Sequence, residues 1–68
     1  MKDLRQHRGR RVLVATEDGT FEGHVEETSA ESLTLTGPAA VADDGGRTSM
    51  DGHLVIPASR VLWVQVPR

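Results

Sequence analysis

The sequence predicts an all-β fold, a small and strongly bent barrel of five strands preceded by a short helix. Three observations carry this. Short apolar runs rich in β-branched residues are separated by turn signals. Asp18-Gly19 joins the first two runs as a hairpin, because glycine accepts the positive φ of tight turns. Around Thr20–Glu26 and Ser32–Thr36 apolar and polar residues alternate with the period of a half-buried strand.

Element by element, Asp3 to Arg8 suits a turn or two of helix, with Asp3 as N-cap and Gly9 as the left-handed stop. Only Leu4 anchors it, so it needs a sheet or a neighbouring chain to persist. The first strand runs from about Arg10 to Thr16. On the return, Phe21, Gly23 and Val25 share the inward face, while Thr20, Glu22, His24 and Glu26 form a polar one. Gly23 stands where that inward face should carry bulk and marks a bend. Ser29-Ala30-Glu31 turns the chain into a third strand, which places Leu33 and Leu35 on one face, and Gly37-Pro38 stops it.

Residues 37–49 show no periodicity and are read as a long mobile loop. A fourth strand follows from Met50 to Ile56, then a corner at Pro57-Ala58-Ser59, and a fifth strand from Arg60 to Val66. Leu13 or its neighbours, Phe21, Val25, Leu33, Leu35, Ile56, Leu62 and Val64 are the expected core. In the last strand Val61, Leu62, Trp63 and Val64 are apolar in succession. A single small barrel covers one face of such a strand, so a second chain or the N-terminal helix must cover the other.

A chain of 68 residues makes one domain, residues 1–68. It is marginal alone, since a chain near this size buries only about 60% of its unfolded surface. With no cysteine, disulfides cannot rescue it, and oligomerisation becomes the expected remedy. No apolar stretch suits a signal peptide or a membrane span, so a cytoplasmic location without membrane contact is expected.

Chemistry is sparse. His7, His24 and His53 fall on different elements without ligand-like spacing and read as solvent-facing. Asp43-Asp44-Gly45-Gly46 lacks the alternating ligands and terminal glutamate of a calcium loop. Ser29, Ser32, Ser49 and Ser59 have no nucleophile-elbow context, and no glycine-rich phosphate loop precedes a helix. No enzyme activity, metal or other cofactor is expected.

Glu17-Asp18-Gly19-Thr20-Phe21-Glu22-Gly23-His24-Val25, within the order helix, strand, hairpin, bent strand, third strand, loop and final pair, resembles the first motif of the Sm-like family, which includes Hfq. The resemblance covers nearly the whole chain. It implies an SH3-like barrel whose fourth strand pairs with the fifth strand of a neighbour, giving rings that often bind RNA. Edge pairing removes the liability of unpaired backbone groups. The departures lie where the family contacts RNA. Thr28-Ser29-Ala30-Glu31-Ser32 lacks the base-contacting asparagine, Pro57-Ala58 replaces an Arg-Gly pair, and the Hfq-type Lys-His pair is missing.

Two functions from different classes follow. One is a non-catalytic assembly module that forms a homo-oligomeric ring and docks protein partners, with Val55, Val61 and Trp63 at the oligomer interface. The other is an RNA-binding ring. The formal charge of −2 gives no broad basic footprint, but Arg5, Arg8, Arg10 and Arg11 crowd the N-terminus with Lys2. With Arg47 and Arg60 they would form its phosphate-facing rim.

Overall fold

The computed structural model describes the backbone of residues 2–67 and the side chains of residues 4–67. A 3-10 helix, Lys2–His7, leads into β1 (Arg11–Thr16), β2 (Gly19–Thr28), β3 (Ser32–Val41), β4 (Arg47–Ser49) and β5 (His53–Pro57). A short 3-10 turn, Ala58–Arg60, then leads into β6 (Val61–Gln65). Every strand pair is antiparallel. The strand order is β4-β3-β2-β1-β6, and β5 also pairs with β3.

Strand β3 serves two partners because it is bent. Its first half, Ser32 to Thr36, pairs with β5, and its second half, Ala39 to Val41, pairs with β4. Between the halves, β3 holds Gly37 and Pro38 where β2 holds Gly23 alone, so the chain bulges there. Gly37 has φ +56°, and a Cβ at Gly23 would sit 3.0 Å from Leu35 Cβ and 3.1 Å from the Thr36 carbonyl oxygen. Glycine at position 23 is what lets β2 fold so closely over β3. Pro38 has no N–H to leave unpaired at the bulge, and its carbonyl accepts from Met50 N at 2.9 Å.

The bend wraps the sheet around Val12, Val14, Val25, Leu33, Leu35 and Ile56. Leu4, Phe21, Leu54, Val61, Val64 and Val66 pack against this cluster while staying partly exposed. Leu13 is half-buried, and its neighbours Val12 and Val14 supply the buried face of β1. Leu4 anchors the N-terminal helix as expected. Gly9, at φ +85°, ends that helix and donates to the Val25 carbonyl at 2.7 Å, tying it to β2. Asp3 lies within Lys2–His7 rather than ahead of it, and the side chains of Lys2 and Asp3 lie outside the described residues.

Three expectations need correction. Residues 37–49 are not a loop: β3 runs on to Val41, and β4 returns along it, so six strands form instead of five. Gly37-Pro38 deflects the strand without ending it, because β2 is long enough to pair beyond the bulge, Phe21 with Ala40 and Thr20 with Val41. The remaining connection is short. Ala42 N donates to the Gly46 carbonyl at 2.7 Å, and Gly46 N donates to Asp44 Oδ1 at 2.8 Å. The strand placed from Met50 begins at His53. Leu62, expected in the core, is 62% exposed. Strand β6 pairs Trp63 with Ala15 and Val61 with Thr16, which makes Leu62 an extra residue. That bulge lets Val61 pack on the core and leaves Leu62 outside.

Candidate assembly edges and charged clusters

Strand β5 pairs only with β3, and β6 pairs only with β1, so each leaves one edge unpaired among the described residues. Both carry large apolar side chains in water: Val55 is 59% exposed and Trp63 52%, beside the bulged Leu62. Trp63 stands opposite Ala15 in the register, and Ala15 is buried while Trp63 stays half in water. Val61, placed in the oligomer interface with these two, is half-buried and packs partly against the core of its own chain. The N-terminal helix packs chiefly on β2, and Leu62 and Trp63 of β6 stay exposed.

An open groove of about 370 Å³ runs along β5, with Phe21, Leu54, Val55, Ile56, Asp18 and Arg60 among its lining residues. Arg60 Nη1 donates to Asp18 Oδ2 at 3.0 Å, joining the β1–β2 turn to the start of β6. Unpaired backbone beside an apolar trough is the arrangement that accepts another strand.

On the opposite arm of the sheet the chemistry is charged and complete. Glu22, on the face read as polar, is 6% exposed. Arg47 Nε donates to its Oε1 at 2.8 Å and Arg47 Nη2 to its Oε2 at 3.3 Å, a bidentate grip, and Arg11 Nη2 lies 3.3 Å from the same Oε2. The carboxylate is held below its ordinary range. The Arg47 hydrogen bonds are the main cause, burial opposes them, and the charges of Arg11, Arg47 and His24 add to the lowering. The same contacts raise Arg47 further above its usual value. Sequence reasoning missed this cluster. Alternation placed Glu22 on the outer face, and reading residues 37–49 as a loop hid the strand that brings Arg47 to it. The one local sign was the hairpin register, which sets Glu22 opposite Leu13 and near Arg11.

The six arginines expected to form one rim are dispersed. Arg11 and Arg47 meet at Glu22, Arg60 is at Asp18, and Arg10 Nη2 donates to the Pro67 carbonyl at 3.1 Å. Arg5 and Arg8 stay together. They line a cleft of about 270 Å³ between the N-terminal helix and β2, with Val25, Glu27 and Thr28. Of the histidines, His24 is exposed, His7 is half-buried, and exposed His53 places Nδ1 3.0 Å from Glu26 Oε2. Among the described residues no group of three or more histidine or acidic side chains could hold a metal ion, and no helix is long and apolar enough to cross a membrane.

No protein-family model matches the sequence, and no curated protein matches it either. Solved structures do match in shape. The chain is similar to a heptameric archaeal Sm protein, with a TM-score of 0.86 at 21% identity over 100% of both chains. It is also similar to the SmAP1 heptamer of P. aerophilum, with a TM-score of 0.86 at 22% identity over 98% of this chain and 90% of the other. Such likeness at this identity shows that the chain has the Sm fold.

Proposed function

We propose that this Sm-fold chain is a non-catalytic assembly module. Copies join head to tail, β5 of one pairing with β6 of the next, and the resulting homo-oligomeric ring offers its faces to protein partners. The observation that carries this reading is the pair of unpaired edges that bear Val55, Leu62 and Trp63 in water. The two edges differ, so contact between them is heterologous. Such a contact must either close into a ring or grow without limit, and closure leaves no edge exposed. That both similar structures are heptamers supports closure. A chain of 7.4 kDa, whose buried core cluster holds six residues, also gains apolar burial from a neighbour.

Light scattering coupled to size exclusion, or native mass spectrometry, tests this directly. A single closed species at an integral multiple of the chain mass is the expected result. A stable monomer across the micromolar range would refute the proposal.

A second reading, RNA held through its phosphates, draws support from Arg5 and Arg8 alone. The other four arginines already face acceptors within the chain.

A further inference from the structure

Three aspartates in this chain precede a glycine, in Asp18-Gly19, Asp44-Gly45 and Asp51-Gly52. Glycine has no Cβ to shield its amide nitrogen, so in such a step that nitrogen can attack the aspartate Cγ and close a succinimide ring. Both groups must be free to swing into contact, and a hydrogen bond on either one must break first. The dipeptide is the same three times, so the fold sets the three rates apart.

At Asp44 both groups are engaged. Gly45 N donates to the Ala42 carbonyl at 2.9 Å, and Asp44 Oδ1 accepts from Gly46 N at 2.8 Å. At Asp18 the carboxylate Oδ2 accepts from Arg60 Nη1 at 3.0 Å, while Gly19 lies in β2 opposite Thr16 and its carbonyl accepts from Thr16 Oγ1 at 2.9 Å. Asp51 differs. It and Gly52 are exposed, between β4 and β5, and among the described residues neither the Asp51 carboxylate nor the Gly52 N–H has a hydrogen-bond partner. Gly52 has φ +77°, a conformation that disfavours any side chain there.

We propose that Asp51 is a self-modification site, converted without an enzyme to isoaspartate through a succinimide with Gly52. Gly52 N bonds to Asp51 Cγ, the amide proton and the carboxyl hydroxyl leave as water, and a second water opens the ring. Opening at Cγ restores aspartate. Opening at the main-chain carbonyl leaves Gly52 linked through Cγ and frees the α-carboxyl, with no net change in atoms. The main chain is then one methylene longer between β4 and β5. Both strands pair with the edge of β3 that faces away from β2, so the added length strains that pairing. With three residues against five in β5, β4 is the strand that yields, and Arg47 is drawn from Glu22 with it.

The test is peptide mapping of the purified protein aged in neutral buffer at physiological temperature, with fragmentation that separates isoaspartyl from aspartyl residues. Isoaspartate should accumulate at position 51 several-fold faster than at 18, and at least about tenfold faster than at 44, where two hydrogen bonds must break. In concentrated urea the three positions should react within a few-fold of one another. Asp51→Glu keeps the charge but would need a larger ring. It should remove most of the methyl groups that a protein-isoaspartate carboxyl methyltransferase adds to the aged protein. Arg60→Ser should speed the reaction at Asp18 several-fold and leave Asp51 unchanged. In the aged fraction, amide hydrogen exchange should quicken several-fold at Arg47–Ser49 and stay as it was in β1.

A faster reaction at 18 or 44 overturns the proposal. So does an unreacted Asp51 under conditions where the chain in urea forms isoaspartate, or methylation undiminished in Asp51→Glu. An Asp18 rate that ignores Arg60→Ser overturns the protection assigned to that contact, and unchanged exchange at Arg47–Ser49 overturns the link from Asp51 to β4.

Discussion

On the β4 side of the sheet, Glu22 is gripped by Arg47 and approached by Arg11, and the outermost strand is only three residues long and polar. On the β5 and β6 side, two strands of five residues each leave an edge unpaired and hold Val55, Leu62 and Trp63 in water. The first region protects its edge in the ways monomeric sheets use, shortness and charge. The second uses neither. The difference teaches that this chain satisfies its buried charge by itself but leaves apolar surface in water on one side of the molecule, which is the side the proposed ring contact would cover.

Trp63→Glu should have the largest effect. A charge without a partner at an apolar interface costs on the order of 3–5 kcal/mol. The mass by light scattering should fall to that of one chain, with a lowered melting temperature because the monomer is marginal. Unchanged mass would remove β6 from the interface and dissolve the contrast. Gly23→Ala comes next, since it strains the bend that separates the two regions. Overpacking of this kind costs about 1–3 kcal/mol, seen as a lower urea midpoint. An unchanged midpoint would mean that Leu35 and the Thr36 carbonyl shift freely.

The smallest expected effect is at the charged region. Glu22→Gln should destabilise by about 1 kcal/mol near neutral pH, because the arginines that grip the carboxylate are themselves half in water. The folded carboxyl is depressed below its ordinary value of 4.5. Its contribution is therefore complete above that value and is lost as pH falls through the depressed one. Urea midpoints of variant and unmodified protein should converge in acid. A gap that persists there would show that shape and not charge holds β4 down.

Part of the fold was legible in the residues. Asp18-Gly19 marked the first hairpin, alternation marked β2 and the first half of β3, Gly23 marked the bend, and Pro57 marked the end of β5, where the chain turns. These features depend on each residue and its near neighbours, through turn conformation, strand period and the missing N–H of proline.

Other features came only from the tertiary arrangement. Gly37-Pro38 has the composition of a strand end, and only a long β2 alongside makes it a bulge. Once β3 continues, β4 has a partner and Arg47 arrives at Glu22. Leu62 has the pattern of a core residue, yet one extra residue in β6 reverses which side chains face in, because strand faces alternate at every position. Six arginines in a sequence likewise do not reveal which of them already hold a carboxylate or a carbonyl. The sequence by itself determined the strand-forming segments, their sharpest turns and the shortage of core. Where β2 and β3 cross decided which edges stay open and which charges stay unpaired, because both depend on residues far apart in the chain meeting in space.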